Sequence, residues 1–402
     1  MGSSFDEIPE RLARLKRHAM YRQRRIVESP QGRELIVDGR RLLNFCGNDY
    51  LGLANDERIR RAFKRGVDRW GAGAGASHLV CGHTAAHHEL EATLAEMTGR
   101  PCALFFSSGY AANLGVINAL LGARDCVFED RLNHASLLDG GWISRARFEF
   151  YAHLSAEDLD ARLAASAGRR RLIVSDGVFS MDGDRCPLTD LVRIADRHAA
   201  WLMIDDAHGF GVIGERGAGS VDPARFGTSD VPVLMGTLGK AVGTSGAFVA
   251  GDENLIEFLL QRSRNYIYTT ALPAAIAEAT RTSLDIVGNE HWRRERLADL
   301  IARFRQGARE RDFDVLPSDT PIQPVVIGDA EATLDASRAL EARGFLITAI
   351  RPPTVPQGTS RLRITLTAAH TSEDIDRLLD ALGEVLGAVP DGRSAGCGEV
   401  AK

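Results

Sequence analysis

One lysine of this chain stands among glycines and other small residues, in GTLGKAVGTSG (Gly236 to Gly246). Glycine beside lysine suggests a phosphate cradle, yet a lysine amine is also a nucleophile toward carbonyl carbon. Spacing separates the two readings. A Walker loop needs a glycine five residues before its last one and a Ser or Thr after the lysine. Leu234 and Ala241 hold those places. The loop therefore has no hydroxyl for magnesium, and a nucleotide triphosphatase is a poor reading. GAGAGA at 71–76 fails as a dinucleotide fingerprint. Ala76 takes the third glycine position, and the preceding FKRGVDRW is no buried strand. His83 and His87 are four apart and would share a helix face. Thr84 follows His83 where a metalloprotease helix carries Glu, and no third ligand is evident. Both are expected as polar histidines on a helix surface, and no metal is expected.

A lysine that forms a Schiff base has different needs. Its amine must be partly neutral, through desolvation or a nearby cation. The partner chemistry is that of pyridoxal phosphate, whose ring nitrogen needs an acid and whose phosphate needs backbone N–H groups, best at a helix N-terminus. IDDAH offers Asp205 and His208. An ionised Asp205 favours a protonated ring nitrogen, the better electron sink. His208 can bond the ring's phenolic oxygen. FSSGYAAN offers the N–H groups of Gly109 and Tyr110, LNHASLL offers His134 as a flat ring for stacking, and Ser180 and Thr237 offer hydroxyls. Each alone is weak: an Asp-Asp pair can merely cap a turn. Together they fall where one pocket would form.

Such residues need a sheet to hold them. From about residue 100 a short apolar run, a small-residue loop and a helix recur. CALFF leads to SSGYAANLGVINALL, DCVFE to DRLNHASLLDG, RLIVSDG to VFSMDGD and a helix at 188–199, WLMID to DAHGFG, and VPVLMG to TLGKAVG; AFVAG is one more strand. Strands alternating with helices predict an α/β fold, a mostly parallel sheet flanked by helices with ligands at the carboxyl ends of its strands. After about residue 290 the rhythm changes. Helical RRERLADLIARFRQGARER precedes strands near IQPVVIG, FLITAI and RLRITLT, and T-S-E-D from Thr371 to Asp374 resembles a capping box before a last helix. A smaller C-terminal α+β domain is expected. The divisions are 1–45 (helical or extended), 46–290 (large domain), 291–388 (small domain) and 389–402 (a frayed tail).

Residues 9–25, ERLARLKRHAMYRQRRI, are expected as a basic helix with Leu12, Leu15 and Ala19 at helical spacing and a solvated cationic face. A length of 402 residues, with 44% apolar and 26% charged residues, suits a soluble globular chain, and a net charge of −5 gives no reason to expect nucleic acid. No apolar run approaches the roughly 18 residues of a membrane span. MGSSFDEIPERL lacks the apolar core of a signal peptide, and Asp6 breaks the myristoylation pattern. The cysteines, Cys46, Cys81, Cys102, Cys126, Cys186 and Cys397, form no C-x-x-C. Reduced thiols and a cytoplasmic location are expected.

The chain resembles the α-oxoamine synthase family of fold-type-I pyridoxal-phosphate enzymes, from about residue 20 to about 385. The motifs are NDYLGL (48–53), SSGYAAN (107–113), NHASLLDG (133–140), GVFSMDGD (177–184), IDDAHGFGVIGERG (204–217), TLGKAVGTSGAFV (237–249) and AIRPPTVPQGTSRLRITLTAAH (349–370). The resemblance implies that Lys240 binds the cofactor covalently and moves the Cα proton, that Asp205 pairs with the ring nitrogen, and that His208 contacts the phenolic oxygen. His134 would stack on the ring and touch substrate, and Gly109, Tyr110, Ser180 and Thr237 would line the cofactor. Arg351 would clamp the amino acid's carboxylate, a bidentate task suited to guanidinium. Arg22, Asn48 and Thr354 would touch substrate. Ala207, TSGAFV and the last motif are similar to the family members that condense L-alanine with a pimeloyl thioester, on coenzyme A or acyl carrier protein, for biotin synthesis. The alternative is a glycine-using sister such as 2-amino-3-ketobutyrate coenzyme A ligase. A homodimer is implied by the family alone. The small residues after Lys240 are expected to keep the approach to its amine open.

Overall fold

The runs CALFF, CVFED, RLIVSD, WLMID, VLMGT and AFVAG are apolar or small along most of their length, as strands covered on both faces must be. The computed structural model describes residues 5, 7–18 and 20–387. In it these runs are β1 (Cys102–Phe106), β2 (Cys126–Asp130), β4 (Arg171–Asp176), β5 (Trp201–Asp205), β6 (Val233–Thr237) and β7 (Ala247–Gly251). RFEFY adds the edge strand β3 (Arg147–Tyr151), which the sequence reading did not anticipate. The order across the sheet is β1-β7-β6-β5-β4-β2-β3. Neighbours from β6 to β3 are parallel, and β7 runs antiparallel to both β1 and β6. The carboxyl ends of β1, β2, β4, β5 and β6 therefore share one edge of the sheet.

Period-two alternation sends successive side chains to opposite faces. Leu172, Val174 and Met203 go to one face, with Val116, Ile117 and Leu120 of helix α2 (Gly109–Leu120). Ile173, Leu202 and Ile204 go to the other, with Leu159, Leu163, Leu191 and Ile194. All of these side chains are buried, each worth about 1.5–3 kcal/mol relative to exposure. Under β1 and β7, Phe105 and Phe248 meet Leu90 and Leu94 of helix α1 (Ala85–Thr98).

The chain divides into two compact units. The first, Asn48–Ala298 with Thr367–Ala369, carries the seven-stranded sheet. The second is Met1–Gly47, Asp299–Leu366 and His370–Lys402. It contains a hairpin of Glu34–Val37 and Arg40–Asn44 extended by Phe345–Leu346, and an antiparallel sheet of Ile322–Gly328, Ser360–Thr365 and Thr348–Ile350. The capping box forms as read: Asp374 accepts from the Thr371 N–H at 2.8 Å, and Thr371 Oγ1 accepts from the Asp374 N–H at 3.1 Å, with Thr371 just before the helix Ser372–Gly387 and Asp374 in its first turn.

The basic N-terminal helix is shorter than expected. It spans Ile8–Arg17, buries none of its residues, and does not reach Arg22. The physical reason lies just beyond it. Arg25 donates to Asp38 at 2.5 Å and to Glu341 at 2.8 Å, and Val27 bridges to Val37, so this stretch runs extended beside the hairpin. Ala19, Cys397 and the tail 389–402 lie outside the described residues.

Candidate active site

Five strand ends bring the site together. β5 ends on Asp205, whose neighbour Asp206 points to the opposite face by strand alternation. The two aspartates do different work. Asp206 is fully buried and accepts from the Ser220 N–H at 2.7 Å, pinning the loop that follows the strand; burial pushes its carboxyl up to about 7. Asp205 accepts from the Ala207 N–H at 3.0 Å and from Asn113 Nδ2 at 2.7 Å. Asn113 stands on α2 and donates its other N–H to Ser136 Oγ at 2.8 Å. Ser136 Oγ in turn lies 2.7 Å from His134 Nδ1. One amide thus sets both the acid and the ring.

The tautomer of His134 follows from its neighbours. Its Nδ1 accepts from the Ser136 N–H at 3.2 Å, a group that only donates, so the ring proton sits on Nε2. Burial lowers the affinity of His134 for a second proton and the Lys240 charge adds to this, while Asp205 opposes it. The backbone N–H of His134 donates to Asp176 at 2.7 Å. Asp176 ends β4 and pairs in register with Asp205. Burial and the Asp205 charge drive the Asp176 carboxyl well up.

Lys240 follows β6 and is half-buried. Its Nζ lies 2.9 Å from His208 Nε2, His208 Nδ1 lies 2.7 Å from the Tyr50 hydroxyl, and that hydroxyl donates to Asn48 Oδ1 at 3.1 Å. A hydroxyl that gives its proton to Asn48 accepts from His208 Nδ1–H, which leaves the Nε2 lone pair facing the lysine amine. The relay is directional, and it desolvates the amine on one side.

Gly109 and Tyr110 open α2, whose first N–H groups have no partner inside the helix. Ser108 caps it, accepting from the Ala111 N–H at 3.1 Å. The Tyr110 hydroxyl donates to Asp139. Thr237 Oγ1 donates to Gly246 O at 3.2 Å and so closes the lysine loop. The small residues of that loop serve packing. Gly243 has φ of +71°, and a Cβ there would stand 2.5 Å from Ala54 N; Gly246 has φ of +100°, and its Cβ would stand 2.5 Å from Phe105.

Ser180 lies in the loop after β4, half-buried. That loop and the one carrying His134 share a fastener, His153. Its Nδ1 donates to Asp130 at 2.8 Å and its Nε2 to Asp184 at 2.9 Å. Burial disfavours the charged imidazolium, but the two carboxylates more than offset it and raise His153 to about 10. The folded value lies above the ordinary 6.5, so its contribution is complete below about pH 6.5 and fades as pH rises through about 10. His153→Gln is expected to lower Tm most at pH 6, with the gap from wild type closing toward pH 10 in a pH series of thermal melts. A gap independent of pH would refute the charge assignment.

Arg22, Arg351 and Thr354 belong to the second unit. Arg351 Nη2 donates to Tyr21 O at 3.2 Å. Burial and then the Arg22 charge lower the Arg351 guanidinium, so two cations crowd each other there, as suits a carboxylate site. Thr354 is exposed on the same turn, its N–H donating to Arg351 O at 3.1 Å.

The sequence reading named neither Asn113, Ser136, Asp176 nor Tyr50, although each lies in a run it had singled out. It also misplaced the histidine pair. His87 is buried on α1, accepting from the Thr84 N–H at 3.1 Å, with Nε2 2.7 Å from Leu272 O. His83 lies before the helix.

The donor set fits pyridoxal phosphate: an amine for the aldehyde, a buried carboxylate across the sheet edge, a flat imidazole, and a capped helix start with small residues. The family model for class I and II aminotransferases matches residues 40–382. The 8-amino-7-oxononanoate synthase of Methylococcus capsulatus is 60% identical over 375 residues, covering 93% of this chain and 97% of that protein. Among solved structures, a serine palmitoyltransferase from S. paucimobilis with bound PLP–myriocin aldimine superposes with a TM-score of 0.90 at 29% identity, covering 96% of this chain and 98% of that one. The 8-amino-7-oxononanoate synthase from Francisella tularensis superposes with a TM-score of 0.75 at 30% identity, covering 86% and 98%.

Proposed function

The chain belongs to the 8-amino-7-oxononanoate synthases within the class I and II aminotransferase family, and on that premise we propose how its side chains divide the work. It is a pyridoxal-phosphate-dependent acyltransferase of biotin synthesis. The reaction joins L-alanine to a pimeloyl thioester and yields 8-amino-7-oxononanoate, carbon dioxide and the free thiol. The observation that carries the residue roles is the Lys240 amine, 2.9 Å from His208 Nε2, at the sheet edge that also holds Asp205 and His134.

Bound pyridoxal phosphate supplies an aldehyde that captures amines and a protonated ring that draws electrons from the amino acid's Cα. Lys240 would hold the cofactor and carry the Cα proton of alanine on its Nζ. Asp205 would hold a proton at the ring nitrogen. His134, its single proton on Nε2, would lie against the ring. His208 would orient the lysine amine and meet the phenolic oxygen. The α2 N-terminus, with Gly109 and Tyr110, takes the phosphate, aided by Ser180 and Thr237. Arg351 clamps the carboxylate of alanine, and Arg22, Asn48 and Thr354 contact substrate.

The enzyme works as a homodimer in the cytoplasm. The exposed apolar side chains of Val80, Trp142, Ile143 and Tyr268 support the first part, and sedimentation will test it. Among the described residues no helix is long and apolar enough to cross a membrane.

The deciding assay offers alanine, glycine and serine against pimeloyl, acetyl and succinyl thioesters, following thiol release. The pair alanine and pimeloyl should exceed all others in kcat/KM; preference for glycine with acetyl would reassign the enzyme to the glycine-using sisters. In the same assay Arg351→Ala should raise KM for alanine about 10–100-fold, the worth of 1.5–3 kcal/mol in a charged hydrogen bond. An unchanged KM removes Arg351 from the carboxylate site.

A further inference from the structure

Four histidines, His78, His83, His87 and His88, crowd the start of α1. Two have settled roles. His87 is spent on Thr84 and Leu272. His78 stacks on Tyr266, with ring centroids 4.8 Å apart, and places its Nδ1 3.0 Å from His83 Nδ1. That contact engages one nitrogen of His83 and turns the other outward. His83 Nε2 then faces Glu91 Oε2 at 3.8 Å, too far for a hydrogen bond and close enough to share a ligand. His88 and Glu91, three apart on α1, project from one helix face. The donor atoms of His83, His88 and Glu91 all lie within 4.8 Å of one another.

We propose that His83, His88 and Glu91 form a binding site for a divalent transition cation of the zinc class. Two imidazoles and one carboxylate are a donor set that zinc takes, with the fourth position left to water. Ligands on one tetrahedral zinc stand about 3.3 Å apart, so rotamer adjustments close the remaining distance. The His78 contact on His83 Nδ1 is the outer hydrogen bond that metal-bound imidazoles use to fix their orientation. Charge agrees. A cation supplies the counter-charge that the half-buried carboxylate lacks. His88 is exposed, which gives the ion an entry path.

Among the described residues the other group of comparable chemistry, His153 with Asp182 and Asp184, is already committed, because both His153 nitrogens bond carboxylates. The Glu91 site has a structural reach. Glu91 Oε1 accepts from the Phe105 N–H at 2.9 Å. A cation on Oε2 therefore couples the turn His78–Gly82, the helix α1 and strand β1, which ends just before Ser107. The site is independent of the acyl-transfer reading.

The test is a titration of chelator-washed holoenzyme with zinc by calorimetry, and with cobalt by its visible d–d absorption. One cation per chain is expected, with a rise in Tm. His88→Ala and Glu91→Gln should each weaken binding about tenfold or more, since even outer-shell losses cost about 10–100-fold. Both variants should fold: His88 is exposed, and Gln keeps the oxygen that accepts from Phe105. Absence of binding to the wild-type enzyme, undiminished affinity in both variants, or affinity lost with Cys81→Ser instead overturns the site. Cys81 is the exposed thiol on the same turn.

Discussion

Lys240→Ala is expected to abolish condensation, a loss of about 10⁴-fold or more. In the proposed division of work one side chain performs two tasks, covalent retention of the cofactor and transfer of the Cα proton, and alanine can perform neither. Thiol release from alanine and the pimeloyl thioester gives the rate. The visible absorption of the holoenzyme gives the covalent state, and borohydride should fix the cofactor on Lys240 in wild type alone. The loop should survive the substitution, because its own backbone holds it. Gly243 N–H donates to Lys240 O at 2.9 Å, and Leu238 N–H to Gly246 O at 2.9 Å. Neither bond involves the side chain, so Tm should stay near wild type. Lys240→Arg separates charge from chemistry. It keeps a cation beside His208 but offers no neutral amine at working pH, and it should be equally inactive. Turnover by either variant at the wild-type rate would sink the assignment.

The sheet was legible where burial is two-sided. RLIVSD and WLMID are apolar on both faces, so their strands stand out without periodicity. RFEFY was not legible, because β3 is an edge strand whose Arg147 and Glu149 pair with each other at 2.6 Å and dilute its apolar character. The positions of Lys240, Asp205, His134 and His208 followed from strand ends, since a parallel sheet puts those ends on one edge. Their supporting partners did not follow. Asn113 lies four residues after Gly109, one helical turn along the face that meets the sheet edge, and that spacing was the available signal. His87 carried a signal too. It stands at i, i+3 and i+7 with Leu90 and Leu94, the core-facing stripe of α1, so its burial was readable. The sequence spacing of four paired His83 with His87, whereas the structure sets the donor atoms of His83, His88 and Glu91 within 4.8 Å of one another. The spacing of four points to His87, while the break at Thr84 frees His83 to meet His88 and Glu91. The short N-terminal helix is a tertiary effect. Arg25 is drawn to Glu341, more than 300 residues away, which no local pattern announces.

Asp205→Asn should lower kcat about 10²–10³-fold or more while leaving KM for alanine nearly unchanged. The carboxylate's proposed task is to hold a proton on the cofactor's ring nitrogen, and an amide is a poor base that cannot do so. The size is that of removing one preorganised electrostatic partner from a water-poor site. A second consequence reaches His134. Asp205 now takes one N–H of Asn113, and Ser136 takes the other. An asparagine at 205 that turns its N–H₂ toward Asn113 forces that amide to flip. The flipped oxygen, which has no hydrogen-bond partner in its buried position today, would then compete with His134 Nδ1 for the Ser136 hydroxyl proton. Asn113→Ala alone frees Ser136 but keeps the carboxylate, so it should cost less than Asp205→Asn. The double variant should cost less than the sum, because the two substitutions disturb one network. Additive losses would mean that Asp205 and His134 are positioned independently. A fall in Tm large enough to account for the lost activity would mean that Asp205 serves the fold rather than the reaction.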